Sequence, residues 1–383
     1  MVIGNASGPA YQGLVEFSHA ATPDRTARRV VQSRRTVQGN QAGGSLVSRW
    51  LARTEFDTWT GQWLRRIRRR YNEQCINVVA YHGISPRDSI FTAGTTLRHD
   101  PTEFERQMDY LADNFNLMSL EAMVDAMERG ESLRRAVAVT IDDGMADSAS
   151  FAVPILVRRR IPATLFVVTS VVGNDDLMWQ HKLTWLQSQG LGEKVVEAMA
   201  AEGYQPILES QSVDEYARQH YRADLPEILE TLIRATGSTG PAIAAKARPY
   251  IEREDLATFD PELIHIGNHT HSHAILANLD ESAQRTELQT ARDAIRDLTG
   301  RMPFAVAYPF GLKRHFNAIS RRLVAETGHR AAVDMRRRLN LPGVDAFNIS
   351  RKPAPCGSQQ QFEQAIEDWP DNAAIDSTNS ETR

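Results

Sequence analysis

The feature that most constrains the fold is a regular alternation of strand patterns and helical patterns over residues 76–356. Each strand pattern is a short run of β-branched and apolar residues, and the segments between them carry apolar residues at helical spacing. Such alternation is typical of parallel βαβ units. Seven or so units in succession predict a distorted (β/α) barrel. The predicted strands are 76–84, 136–144, 162–170, 263–270, 304–311, 330–335 and 346–354.

Residues 174–258 interrupt this alternation with a mostly helical pattern that contains Trp179, His181 and Trp185. We expect an insertion that lies over one rim of the barrel. Two interpretations remain open, because such a lobe can either contact a substrate or only stabilise the barrel.

The region before the barrel, residues 1–72, is a predicted basic and partly disordered extension. Residues 1–70 carry twelve arginines against four acidic residues. An amphipathic helix is predicted over 46–71, which either contacts an anionic membrane surface or packs on the barrel. The predicted barrel spans 73–360, and residues 361–383 form a predicted polar tail. No nucleic-acid recognition motif accompanies the basic residues.

No apolar run is as long as the 18 or so residues needed to span a bilayer. The first thirty residues contain no compact apolar segment after a basic start, so we expect no signal peptide and a cytoplasmic location. An exported protein with a wrongly assigned start codon would show the same pattern. Two cysteines are too few for a thiolate zinc site.

Polar and aromatic side chains cluster where four predicted strands end, which is where (β/α) barrels carry their active sites. Any one of these groups alone would be ordinary for a turn, but their coincidence at the same end of successive strands indicates a site. They are His82, the pair Asp142 and Asp143, the histidines His269, His271 and His273, and the turn Tyr308, Pro309, Phe310 and Gly311.

These residue types suit a divalent metal ion. His269 and His273 stand four positions apart and can converge on one ion, and one carboxylate of the Asp pair completes a three-ligand site with an open position. His271, between them, is expected to be a neighbour only. The second carboxylate can then accept a proton from the attacking water.

Three of these segments resemble the motifs of the polysaccharide deacetylases, the NodB-like enzymes of carbohydrate esterase family 4. TIDDG at 140–144, HTHSH at 269–273 and AYPFG at 307–311 occur in the order found in that family. The resemblance spans about residues 76–356. It implies a (β/α) barrel that removes acetyl groups from N-acetylated sugars.

The resemblance also implies individual roles. Asp142 matches the general base that activates water. Asp143, His269 and His273 match the three metal ligands. The expected ion is Zn²⁺, with Co²⁺ or Ni²⁺ as alternatives because the same ligands accept them.

The AYPFG turn matches the motif that contacts the substrate. Phe310 aligns with the residue whose backbone N–H stabilises the oxyanion, and Tyr308 and Pro309 are expected to bind substrate. Ala307 stands where many members have Arg. This spelling is closest to the permuted subgroup that acts on poly-N-acetylglucosamine and related exopolysaccharides.

The general acid is expected at an unusual place in the chain. Many members supply it from a C-terminal histidine motif, but no histidine follows His329 here. The permuted subgroup supplies it from the strand before the Asp-Asp motif, where His82 stands. The resemblance therefore implies His82 as the acid, with His315 as the alternative.

The sequence leaves two possible roles for two further polar residues, Asp334 and Arg351. They either orient the base or the metal ligands, or they lie in turns at the surface.

The sequence thus predicts a metal-dependent amide hydrolase that releases acetate from an N-acetylated oligosaccharide or polysaccharide. Two alternatives remain. One is a sugar-binding relative without catalysis, and the other is a metal-dependent hydrolase of a small non-sugar amide.

Overall fold

The strands lie where the sequence predicts them. The computed structural model of the protein describes residues 75–92, 98–208 and 210–367. Each of the seven predicted strand patterns contains an observed strand. The strands are β1 (Asn77–Tyr81), β2 (Gly83–Ile84), β3 (Arg98–His99), β4 (Asn116–Leu117), β5 (Ala136–Ile141), β6 (Ala163–Val167), β7 (Ile264–Asn268), β8 (Ala305–Ala307), β9 (Ala331–Asp334), β10 (Ile349–Ser350) and β11 (Lys352–Pro353).

The main sheet closes on itself. Its order is β10-β9-β8-β7-β6-β5-β1-β11, with the short β4 also paired to β5, and its neighbouring strands run parallel. Only Arg351 separates β10 from β11, so the two ends of the sheet are one continuous stretch of chain. With β10 and β11 taken as one interrupted strand, seven strands form the wall, which confirms the predicted (β/α) barrel.

Strand β5 shows how the barrel positions its polar end. Its six residues are all buried, and successive side chains point to opposite faces. Ala138 packs with small and branched side chains of the other strands in the barrel interior, and Thr140 donates to the Val79 carbonyl at 2.9 Å. Val137, Val139 and Ile141 form the outward series of side chains and pack among the surrounding helices. Asp142 directly follows the strand, and by the same alternation its side chain points inward with those of Ala138 and Thr140.

Twelve α-helices occur in the described residues, and they surround the barrel or build the insertion. They are α1 (Pro101–Asn114), α2 (Leu120–Glu128), α3 (Val153–Arg159), α4 (Trp179–Ser188), α5 (Gly192–Ala201), α6 (Val213–Gln219), α7 (Leu225–Arg234), α8 (Gly240–Ala247), α9 (Arg253–Thr258), α10 (Glu281–Thr299), α11 (Ala318–Glu326) and α12 (Gln359–Glu367).

Local signals explain where several helices begin and end. Asp100 accepts a hydrogen bond from the Thr102 N–H and caps the start of α1. Asp280 caps α10 in the same way, and α10 ends at Gly300 with a left-handed backbone. None of the helices in the described ranges is long and apolar enough to cross a membrane.

The insertion is helical, as predicted, and contributes α4 to α9 between β6 and β7. Its apolar side chains form one buried cluster that also includes Met145, Val168 and Ile275 from the barrel rim. The lobe is therefore packed against the end of the barrel where the polar strand ends lie.

The predicted boundary between barrel and tail at residue 361 falls inside α12. Phe362 and Ile366 lie one helical turn apart and are fully buried, so this segment packs on the barrel instead of leaving it. The N-terminal extension, its helix at 46–71 and the membrane contact predicted for it lie outside the described residues.

Candidate active site

The polar strand ends meet in one cavity of about 1380 Å³. It lies where β1, β5, β7 and β8 end, which is the face where (β/α) barrels hold their active sites. The predicted site residues that line it are His82, Asp142, Asp143, His269, His273, Tyr308 and Phe310.

Asp142 is bound by an arginine from the strand that closes the barrel. Arg351 donates from Nη1 to Oδ1 and from Nη2 to Oδ2, both at 2.6 Å, and Nη1 also lies 3.1 Å from Thr140 Oγ1. Both Asp142 and Arg351 are almost completely buried. Burial alone would raise the pKa of Asp142, but the Arg351 charge and nearby imidazoles hold that pKa below its usual value. The carboxylate is therefore ionised.

Asp143 points away from Arg351 and toward two histidines. Its backbone has φ 72 and Gly144 follows with φ 62, so the chain turns sharply between the two aspartates. Asp143 Oδ1 lies 3.5 Å from His269 Nε2 and 3.6 Å from His273 Nε2. Burial opposes ionisation, but the hydrogen bond to His269 and the neighbouring imidazoles lower the pKa of Asp143 well below its usual value.

Asp143, His269 and His273 could together hold a metal ion. Each offers one ligand atom, and these atoms lie within 4.8 Å of one another. The other ring nitrogen of His269, Nδ1, lies 2.7 Å from the Ala307 carbonyl, which directs Nε2 toward the group. His271 is not part of it, because its Nδ1 pairs with the Thr169 hydroxyl at 3.0 Å.

The loop that carries the two histidines is held by residues that the sequence did not indicate. Glu287 on α10 accepts hydrogen bonds from the N–H groups of His271 and Ser272 and from the Ser272 hydroxyl. Asn268 accepts from the Thr270 N–H at 2.7 Å. Helical periodicity does not single out Glu287. Asn268, directly before the first candidate ligand, could have been recognised from the sequence as a turn residue.

The two candidate general acids have different surroundings. His82 lines the cavity, and its Nε2 lies 3.9 Å from Asp142 Oδ2. His315 is only 3% exposed, receives the Leu312 N–H at its Nδ1, and does not line the cavity formed by the described residues. Burial lowers the pKa of His315 to about 4.

The turn after β8 presents one of its residues to the site and buries two. The Phe310 ring lies 5.0 Å from the His273 ring. The Tyr308 ring is fully buried and stacks on Phe316 at 4.1 Å, and Pro309 is buried too. The Tyr308 ring follows the outward series of β8 and packs under the turn, while Tyr308 also lines the cavity, so its contact with the substrate stays a prediction. Pro309 is not among the described residues that line the cavity.

The helical insertion forms part of the cavity wall, which the sequence left open. Trp179 Nε1 donates to the His273 carbonyl at 3.1 Å, and the side-chain amide of Gln180 contacts His273 Nδ1. His181 stacks on Phe91 at 4.6 Å, and burial lowers the pKa of His181 to about 4. No sequence pattern distinguishes Gln180 from any other helix residue.

Comparison with known proteins agrees with this architecture. Residues 129–332, more than half of the chain, match the family model described as polysaccharide deacetylase. The YxkH protein of Bacillus subtilis (strain 168), a polysaccharide deacetylase by name, is 29% identical over 116 residues. That match covers 30% of this chain and 39% of YxkH.

A solved deacetylase structure shares the fold. The Streptococcus pyogenes deacetylase PplD, solved in complex with acetate, superposes with a TM-score of 0.51 at 17% identity, over 76% of this chain and 98% of PplD. IcaB from Ammonifex degensii has a TM-score of 0.48 at 17% identity, over 76% of this chain and 96% of IcaB. From the matched family model, this chain belongs to the polysaccharide deacetylase family.

Proposed function

We propose that the protein hydrolyses the N-acetyl group of an N-acetylated sugar in a polysaccharide or oligosaccharide and releases acetate. The observation that carries the proposal is the division between the two aspartates. Asp142 binds Arg351, whereas Asp143 faces His269 and His273. Metal-assisted hydrolysis of an amide needs one carboxylate that holds an ion and another that accepts a proton.

The residues present fit a divalent metal ion. Asp143, His269 and His273 supply two imidazole nitrogens and a carboxylate oxygen, which is a three-ligand set that zinc takes in catalytic sites. The Ala307 carbonyl at Nδ1 of His269 is the kind of outer partner that orients a metal-binding imidazole. When bound, the ion would polarise the acetyl carbonyl and make water easier to deprotonate. We propose zinc, while cobalt and nickel accept the same ligands.

Asp142 is the proposed general base. A carboxylate oxygen has two lone-pair positions, so the single hydrogen bond from Arg351 to each oxygen leaves each able to accept another. Oδ2 also lies 4.0 Å from His269 Nε2, beside the proposed metal ligands. The ionised carboxylate can therefore take the proton of a water that attacks the acetyl group there.

His82 is the proposed general acid. It lines the same cavity as the ligands, with Nε2 3.9 Å from Asp142 Oδ2, and its side chain is 22% exposed. A ring nitrogen of imidazole can donate a proton, so His82 can deliver the proton that the leaving amine requires. The buried His315 has no comparable access to the cavity.

The Phe310 N–H is the proposed oxyanion donor. Phe310 and Gly311 both have left-handed backbones, with φ 59 and 61. A Cβ at Gly311 would lie 2.6 Å from the Met335 nitrogen, so only glycine fits this turn. Within the described residues the Phe310 N–H donates no backbone hydrogen bond, and it remains able to bind the developing negative charge.

The size of the cavity favours a sugar chain over a small amide. A volume of about 1380 Å³ exceeds the roughly 300–1000 Å³ of typical small-molecule sites. The presence of both aspartates and both histidines in one cluster argues against a relative that only binds sugar, because binding alone requires no such cluster.

The experiment that tests this function is an assay of acetate release from three N-acetylated polymers. We would use chitooligosaccharides, poly-N-acetylglucosamine and peptidoglycan, with a small N-acetyl amide as the comparison. We expect release from at least one polymer, and Asp142→Asn should abolish it. The proposal would be contradicted if Asp142→Asn released as much acetate as the unmodified protein. Turnover of the small amide alone would also contradict it.

A further inference from the structure

We propose that Gln180 of the helical insertion is a positioning residue for His273. In this role its side-chain oxygen accepts a hydrogen bond from His273 Nδ1 and turns Nε2 of the ring toward the candidate metal site. The inference rests on the proposed function, since it assigns Gln180 a role toward the ion held by His273. It also gives the insertion a part in the site itself.

The two ring nitrogens of His273 have different surroundings. Nε2 lies 3.2 Å from His269 Nε2 and 3.6 Å from Asp143 Oδ1, so it faces the other two candidate ligands. Nδ1 meets the side-chain amide of Gln180. A histidine that binds metal through one nitrogen donates its other N–H to a carbonyl or carboxylate, and His269 already does so to Ala307. Gln180 is the matching partner for His273.

The orientation of the Gln180 amide follows from its hydrogen bonds. With the amide nitrogen against His273 Nδ1, two donors would face each other whenever Nδ1 carries the proton. In the same orientation the buried Gln180 Oε1 has no hydrogen-bond partner, which costs free energy. Exchange of the two amide atoms brings Oε1 to the Nδ1–H group, so that a donor faces an acceptor and the oxygen gains a partner.

The residue before Gln180 holds the same histidine by its backbone. Trp179 Nε1 donates to the His273 carbonyl at 3.1 Å. His273 has φ 58, a left-handed backbone that a residue other than glycine keeps only when its surroundings enforce it. Successive residues at the start of α4 thus fix the backbone and the ring of one candidate ligand.

Zinc affinity of the full-length protein tests the assignment. Gln180→Leu removes the acceptor, whereas Gln180→Glu keeps an oxygen at the same place. Gln187→Leu is the matched control, because Gln187 lies on the same helix with its amide toward Asp214 at 3.4 Å. Competition with a chromophoric chelator would give the dissociation constant of Zn²⁺. We expect Gln180→Leu to weaken binding by roughly 10–100-fold, and the other two variants to bind at least as tightly as the unmodified protein.

A second readout separates positioning from general stability. In metal-free protein, imidazole ¹⁵N NMR should show His273 with its proton on Nδ1, and Gln180→Leu should lose this preference while Gln180→Glu keeps it. If Gln180→Leu does not fold, Gln180→Met, which keeps the length without the acceptor, takes its place. Unchanged zinc affinity in the variant without an acceptor, or equal weakening by Gln180→Glu, would overturn the inference. Absence of zinc binding in the unmodified protein would instead overturn the proposed function.

Discussion

Arg351 and Asp142 form a buried pair joined by two hydrogen bonds of 2.6 Å, although they lie 209 positions apart in the sequence. Arg351 is the single residue between β10 and β11, and its backbone N–H donates to the Asp334 carbonyl at 2.9 Å. The chain segment that closes the barrel therefore also fixes the proposed general base. The Asp334 side chain also holds this segment, since its Oδ1 accepts from the Ser350 hydroxyl at 2.9 Å.

Loss of Arg351 should destabilise the protein and stop turnover. Arg351→Met leaves the Asp142 charge buried without its partner, which typically costs about 3–5 kcal/mol. Urea unfolding of the metal-free protein would measure this cost. The double variant Asp142→Asn with Arg351→Met carries no buried charge there and should lose less stability than Arg351→Met alone. An equal or greater loss in the double variant would contradict the account of this pair.

Replacement of His82 should slow catalysis without harming the fold. We expect His82→Gln to lower kcat by about 10²–10⁴-fold, the usual contribution of general acid–base catalysis. His315→Gln is the matched control, since it changes the other candidate acid, and its kcat should stay close to that of the unmodified protein. If His315→Gln shows the larger loss with an intact fold, His82 is not the acid.

Acidification below about pH 6.5 should destabilise the metal-free protein through the buried His329. His329 is buried between the Thr327 hydroxyl and the Asn268 amide, and burial lowers the pKa of His329 to about 4. An unfolded chain binds a proton on this histidine near pH 6.5, whereas the folded protein does so only near pH 4. The stability that a neutral His329 provides is thus complete above about pH 6.5 and is lost as the pH falls toward 4.

The unfolding free energy measured with urea between pH 7 and 4 tests this dependence. As the pH decreases, the unfolding free energy of His329→Gln should fall less steeply than that of the unmodified protein, by up to about 1.4 kcal/mol per pH unit. Parallel pH profiles for the two proteins would mean that His329 does not stay neutral in the fold.

Much of the barrel could be predicted from sequence because its signals are local. The strand runs are short, β-branched and followed by helical spacing, and the polar residues directly follow them. The inward position of Asp142 also follows from the period of two along β5. The same period also explains why Val306 and the Tyr308 ring share one buried cluster outside the barrel.

The remaining contacts could not be predicted because they join distant parts of the chain. Arg351 meets Asp142 only after the barrel closes. Gln180 and Trp179 reach His273 only because the insertion folds back over the rim. Glu287 supports the histidine loop from the half-buried flank of α10, beside that helix's buried face. Sequence periodicity records which face is buried, but it does not record which element covers that face.

The central claim is that the adjacent aspartates have separate tasks, and one paired measurement tests it most directly. Zinc content and acetate release would be measured for Asp142→Asn and Asp143→Asn in the full-length protein. Asp143→Asn should lose zinc and activity together, because it removes a ligand. Asp142→Asn should keep zinc bound and release no acetate, because Asn cannot accept the proton. Equal loss of zinc from both variants would contradict the division drawn between Asp142 and Asp143.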